Sequence, residues 1–155
     1  MNKLNLTFNE IEEFKLVLPE DSRYALFDNP VSGKSIHIYF KVGQIEFRFT
    51  ITHAQDVSTP EELVNQVYAI NGPLSIPEWR IPPYQFEDSK SVGWACSFGL
   101  MEGRGLRVLK IFFESEERPV CITFSSNPEN YPLGIPVFDQ IAKSFMIIKE
   151  NDGLE

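Results

Sequence analysis

The stretch from Ser91 to Ser126, SVGWACSFGLMEGRGLRVLKIFFESEERPVCITFSS, constrains this chain more than any other. It reads as three consecutive antiparallel strands separated by two turns. Glu102-Gly103-Arg104-Gly105 supplies the first turn, where glycine adopts positive φ without a steric cost, and Glu116-Glu117-Arg118-Pro119 supplies the second. In the first strand Trp94, Cys96, Phe98 and Leu100 alternate with Ala95, Ser97 and Gly99, the period-two pattern of a sheet with unequal faces. Leu109, Ile111 and Phe113 offer a matching row in the second strand, and Val120, Ile122 and Phe124 in the third. These rows share one face when Cys96 lies opposite Ile111 and Phe113 opposite Ile122. A one-residue slip would carry a whole row to the other side, so this is the expected register. Val108 and Phe112 imply that the second face is partly covered as well.

Upstream, Phe14 to Asp21 alternates and stops at Pro19, an opening strand that ends in a turn. Tyr24-Ala25-Leu26-Phe27 reads as a short strand before Asp28-Asn29-Pro30. A hairpin follows, from Ser35 to Lys41, through a Val42-Gly43 turn, and back along Gln44 to Thr52. It pairs Ile36, Ile38 and Phe40 with Phe49, Phe47 and Ile45, and sets His37 opposite Arg48 and Tyr39 opposite Glu46 on the other face. Thr59 is a suitable N-cap, Pro60 fits the first helical position and Glu62 completes a capping box. Leu63, Val67 and Ile70, with Val64 beside them, form the apolar stripe of that helix, and Asn71-Gly72-Pro73 ends it. Pro73 to Lys90 then runs for eighteen residues with four prolines as a long loop, a kind of segment that is often functional. After an Asn- and Pro-rich turn from Asn127 to Pro132, a last helix begins near Pro136 and gathers Phe138, Ile141, Ala142 and Phe145 on one face.

The class is α+β: an antiparallel sheet of about six strands, a helix inserted after the first hairpin, and a C-terminal helix packed on the sheet. With 155 residues the chain is expected to form one domain, 1–155, and thirteen phenylalanines are ample for a core. A net charge of −8 disfavours duplex nucleic acid and anionic membranes, which reward basic patches. Apolar runs are broken by Lys110 or by prolines, so no membrane insertion is expected. Met1 to Glu10 lacks the apolar segment of a signal peptide, and a cytoplasmic location is the expectation. Cys96 and Cys121 should face opposite sides with a strand between them, ~10 Å apart and beyond the ~7 Å reach of a disulfide. Both should be free, buried thiols.

The order of elements resembles the PsbP/DcrB-like group. Phe14 to Asp21 is similar to the group's F-x-x-x-x-P opening, and Thr59 to Ile70 to its first helix. Phe138-Asp139-Gln140-Ile141-Ala142-Lys143-Ser144-Phe145 is similar to its closing F-x-x-I-x-x-S-F. The resemblance spans residues 10 to 148 and implies the group's fold. It also implies a non-enzymatic role: known members include an extrinsic photosystem subunit, Ran-binding nuclear-import factors and chaperones of secreted bacterial effectors. No catalytic motif carries over, and such diversity means that the fold alone does not choose a partner. The lack of a signal peptide sets this chain apart from the secreted members.

The residues themselves point to no catalytic, cofactor or metal site. Gly103-Arg104-Gly105 begins like a dinucleotide fingerprint, but Val108 stands where the third glycine belongs and the motif joins two strands. His37 and His53 fall on opposite faces of one strand pair and cannot share a metal. Nucleophile elbows and zinc-protease motifs are missing from the sequence. Three readings of function compete. The first is a bacterial non-enzymatic binding, adaptor or chaperone-like protein with a protein partner; a chaperone of apolar segments would need an open groove or a homodimer. The second is an acidic immunity-type inhibitor, and the third a small enzyme with a dispersed site. The expected binding surface is the loop from Ile76 to Phe86. Trp79, Arg80 and Tyr84 are residue types enriched at hot spots, and Pro77, Pro82 and Pro83 stiffen the segment. The competing reading, that Trp79 and Tyr84 fold back to cover the sheet edge or the first helix, is somewhat favoured, since aromatic side chains are usually mostly buried.

Overall fold

A computed structural model of the chain describes residues 5–31, 33–101 and 105–148. In chain order the elements are β1 (Leu6–Ile11), β2 (Phe14–Pro19), β3 (Arg23–Asn29), β4 (Gly33–Val42), β5 (Ile45–His53), α1 (Pro60–Asn71), β6 (Ile81–Phe86), β7 (Gly93–Leu100), β8 (Leu106–Phe113), β9 (Val120–Ser126), α2 (Tyr131–Ser144) and β10 (Met146–Ile147). The architecture is α+β, with strands in two antiparallel sheets rather than one sheet of about six. Seven strands run in the order β3-β4-β5-β9-β8-β7-β6, and β1-β2-β10 form a small second sheet. On one face α1 packs against β6, β7 and β8; on the other α2 lies between β2 and the strands β4 and β9.

The meander forms, but its register differs from the expected one. Cys96 lies opposite Lys110 and Ala95 opposite Ile111, a shift of one residue. Ile111 lies opposite Ile122 and Phe113 opposite Val120, a shift of two that preserves the faces. A one-residue slip is costly only where one face meets water, and here neither does. Ala95, Leu109, Ile111, Phe113, Ile122 and Phe124 join the core beneath α2 and the small sheet. Cys96, Phe98, Val108, Phe112 and Cys121 join a second core beneath α1, with Leu63 and Val64. The two cysteines therefore share a face instead of pointing apart, and both are buried and unbridged. The expected turn residues Glu102, Gly103 and Arg104 lie outside the described residues; Gly105 has φ +94°, in the left-handed region that glycine tolerates.

The hairpin of β4 and β5 turns at Gly43-Gln44, one residue later than expected, because Val42 pairs with Ile45. Gly43 has φ +63°, the conformation that a two-residue turn with glycine in its first central position requires. His37 consequently faces Thr50, and Tyr39 faces Arg48. The apolar row Ile36, Ile38, Phe40, Phe47, Phe49 and Ile51 stays buried, since a two-residue change moves no side chain across the sheet.

Both helices depart from expectation at one end. The Thr59 hydroxyl accepts from the Glu62 N–H at 3.2 Å, so the N-cap stands, and it donates to the Glu62 carboxylate at 3.1 Å, holding that side chain on the hydroxyl. Ile70, however, is exposed, and Tyr68 packs on the α1-side core instead. Helix α2 starts at Tyr131 rather than near Pro136. Pro132 occupies its first turn, where a missing N–H costs nothing, and Pro136 lies inside. The Asn127 carbonyl accepts from the Tyr131 N–H at 3.1 Å, closing that first turn.

The residues that resemble the closing motif are structural. Phe138 stacks on Phe124 with centroids 4.8 Å apart, and Phe145 on Phe113 at 5.0 Å and Phe14 at 5.2 Å, tying α2 to both sheets. Ser144 Oγ accepts from the Val17 N–H at 2.8 Å, where β10 has already ended along β2. Strands β1 and β10 are invisible to periodicity: β1 leaves Phe8 exposed, and β10 has two residues.

Candidate binding surfaces

The segment read as a loop from Pro73 to Lys90 holds a 3-10 turn, Pro77–Trp79, and the edge strand β6. Prolines cannot donate to a ladder, and Pro82-Pro83 fall where β6 loses register: Ile81 lies opposite Ser97 but Tyr84 opposite Ala95, one extra residue on the edge. The Ile76 N–H donates to the Gly99 carbonyl at 3.2 Å and the Trp79 N–H to the Ile76 carbonyl at 2.9 Å, which holds the 3-10 turn on the sheet. The Trp79 ring lies directly on Gly99, where a Cβ would sit 2.0 Å from its Cε3 atom. Arg107, opposite Gly99 on β8, extends its guanidinium over Trp79 at 5.5 Å and over Tyr131 at 4.1 Å.

Trp79 and Arg80 are half-buried, while Tyr84 is 37% and Ile81 46% exposed. Trp79 is thus an anchor that covers the sheet, and Ile81 and Tyr84 form the open rim. Although Tyr84 reaches solvent, burial pushes its hydroxyl up to about 12, and Tyr131 and Asp139 push the same way. Burial raises Tyr131 as well. Among the described residues the Ser97 hydroxyl and Arg107 Nε, both shut off from solvent, meet no partner with good hydrogen-bonding geometry, though the Ser97 hydroxyl beside Tyr131 opposes the rise of that phenol. The sequence reading missed Ile81, Arg107 and Tyr131. Arg107 opposite Gly99 was legible only in the correct register, one residue away from the expected one.

The opposite edge, β3, pairs with β4 along its whole length, from Arg23 opposite Tyr39 to Asn29 opposite Gly33. Tyr24, Leu26 and Phe27 are 54%, 53% and 50% exposed. Arg23 leans back across the sheet surface while its side chain stays 67% exposed, its Nη2 2.7 Å from Glu46 Oε2 and its guanidinium 5.3 Å over Tyr39. On that same face Phe27 meets His37 edge-on at 4.5 Å, and burial, then Arg48, lowers the His37 pKa.

Beside β3 opens a cleft of about 420 Å³, with Leu26, Phe27 and Asp28 on one wall and Glu13, Phe14 and His53 on the other. His53 Nε2 and Glu13 Oε1 stand 2.9 Å apart, and the His53 ring lies against Phe14. His37 and His53 occupy opposite faces of the large sheet, as expected. The buried thiols are poor nucleophiles: burial pushes Cys96 up to about 12 and raises Cys121 too.

No family model matches the sequence, and no curated protein does. Solved structures do match. CyanoP, the cyanobacterial PsbP of Synechocystis, superposes with a TM-score of 0.62 at 10% identity, over 94% of this chain and 94% of its own. LpqN of Mycobacterium tuberculosis, described as involved in cell envelope biogenesis, gives 0.55 at 9% identity over 96% and 93%. PA94 of Pseudomonas aeruginosa, a protein of unknown function, gives 0.52 at 17% over 93% and 97%. The fold is PsbP/DcrB-like. At such identities the similarity speaks for the PsbP-like fold alone, and the partner must be sought on the surface. Among the described residues no helix is long and apolar enough to cross a membrane.

Proposed function

We propose that the protein is a non-enzymatic binding domain that docks a protein partner on the β6 end of its large sheet, through Arg80, Tyr84 and Ile81 with Trp79 as their support. One observation carries this reading: an aromatic and arginine-bearing rim, open to solvent, sits on a backbone stiffened by Pro82-Pro83 and pinned by Trp79 on Gly99. A surface already held in place loses little entropy on association, and Tyr, Trp and Arg are the residues on which interfaces concentrate their energy.

The test is affinity capture from the source cell with wild type, Arg80→Ala and Tyr84→Ala side by side. A protein retained by wild type and reduced at least tenfold by either substitution, at unchanged thermal unfolding, supports the reading. Retention indifferent to both substitutions overturns it.

A further inference from the structure

We infer that the protein forms a two-fold dimer by antiparallel pairing of β3 with β3 of a second copy, continuing the large sheet across both molecules. The reasoning starts from what is missing at this edge. An exposed strand edge offers unpaired N–H and C=O groups, and folded proteins guard it with proline, lysine, a bulge or a covering element. Strand β6 has Pro82-Pro83 and a break in register. Strand β3 has no proline or lysine from Arg23 to Asn29 and an unbroken seven-residue ladder on its inner side. Its one positive charge, Arg23, is drawn back over Tyr39 to Glu46. What remains along the edge is largely apolar, Tyr24, Leu26 and Phe27 being half or more exposed, with Asp28 and Asn29 exposed at its end.

The strand's sequence is complementary to itself. A two-fold axis perpendicular to the sheet keeps like faces together, so the pairing must centre on a residue, and centring on Leu26 uses all seven. Arg23 then lies opposite the second copy's Asn29, Tyr24 opposite its Asp28, Ala25 opposite its Phe27, and Leu26 opposite Leu26. No like charges face one another, a small side chain meets a large one on one face, and a phenol meets a carboxylate on the other. Asp28 lines the cleft beside β3, so the second copy's Tyr24 comes to rest at the mouth of that cleft. The pairing is isologous and closes after two copies. It involves the edge opposite β6, so either reading can fail without the other.

Sedimentation equilibrium of the full chain, with Leu26→Lys and two single-cysteine additions, tests this. Wild type should be dimeric by ~100 µM, and Leu26→Lys should weaken association at least tenfold with thermal unfolding unchanged. Under mild oxidation Leu26→Cys should link to itself, whereas Tyr24→Cys should not, since its two copies would stand ~13 Å apart, beyond disulfide reach. The native thiols are buried and stay silent. A wild type that remains monomeric at ~100 µM, open-ended assemblies, or a dimer that Leu26→Lys leaves intact overturns the inference. So does linkage through Tyr24→Cys in place of Leu26→Cys. If Leu26→Lys fails to fold, the cysteine pair decides alone.

Discussion

The two edges of the large sheet solve the same problem in opposite ways. At β6 the chain spends two prolines and a broken register on an edge that cannot template a neighbour, and it folds Trp79 back over Gly99 so that aromatic surface is partly consumed internally. At β3 the backbone is regular, the guarding arginine leans back across the sheet surface, and aromatic surface is left outside. Similar residue types thus do different work: at β6 they stabilise the monomer and present side chains, whereas at β3 they present backbone.

The sharpest way to break this contrast is to truncate an aromatic at each edge. Trp79→Ala should cost about 2–4 kcal/mol and lower the melting temperature by roughly 5–10 °C, because it uncovers Gly99 and removes one stacking surface of Arg107. Phe27→Ala should cost under about 1 kcal/mol, since half of that ring is already in water. Equal losses by calorimetry would mean that the edges do not differ in kind.

A second experiment transfers the openness. Replacing Pro82 by Val and Pro83 by Thr restores two N–H donors to β6, and light scattering should then show concentration-dependent association absent from a Leu26→Lys background that keeps the prolines. If scattering is unchanged, the prolines are not the guard.

The thiols report on fraying. Cys96 lies on β7, beside β6, and Cys121 on β9, in the middle of the sheet. Neither should react with a disulfide reagent at pH 8 in the folded protein, and in mild denaturant Cys96 should label first. The folded Cys96 holds its proton to about 12 while the unfolded thiol releases it near 9.0. The stability it contributes is therefore complete below pH 9 and lost as the pH climbs from there towards 12. Urea titrations at pH 8 and 10.5 should show the midpoint falling further in wild type than in Cys96→Ala, because Cys121, Tyr84 and Tyr131 are raised by burial too; equal falls would place Cys96 in contact with water.

The smallest effect concerns His37 on the uncovered face of β4. Its folded pKa is lowered, by burial first and Arg48 second, so protonation opposes the folded state as the pH drops below 6.5. An NMR titration should give a midpoint under 6.5 that rises in Arg48→Ala without returning fully, burial being the larger cause. A Phe27→Ala variant should raise it as well, by admitting water at the edge of β3.

Much of the architecture was legible because local chemistry marked it. Thr59-Pro60 and Glu62 fixed the start of α1, and the spacing of Phe138, Ile141 and Phe145 marked the buried side of α2. What failed did so for identifiable reasons. The meander register rested on one apolar row per strand, but α1 and α2 bury both faces, as Val108 and Phe112 had already implied in part, so hydrophobic patterning could not choose between neighbouring registers. The proline-rich segment concealed β6 because proline argues against a central strand and says little about an edge. The β3 edge as a surface was beyond reach, since exposure of Tyr24 and Leu26 depends on where α2 and the small sheet stop. Of the expected site, Trp79 lies on Gly99 and Tyr84 lies opposite Ala95, further along the same strand. Arg107, which stacks over Trp79, was hidden by the register.

The hydroxyl of Ser144 on the Val17 N–H has a bearing on timing. Strand β2 carries Phe14, Leu16 and Leu18, and the elements that cover them, α2 and β10, are synthesised more than a hundred residues later. Through all of that interval three large apolar side chains have been made and the surface that shelters them has not. Contacts over such sequence separations form slowly. Strand β2 must therefore wait, exposed, for a distant stretch of its own chain, and that interval is when misassembly competes with folding.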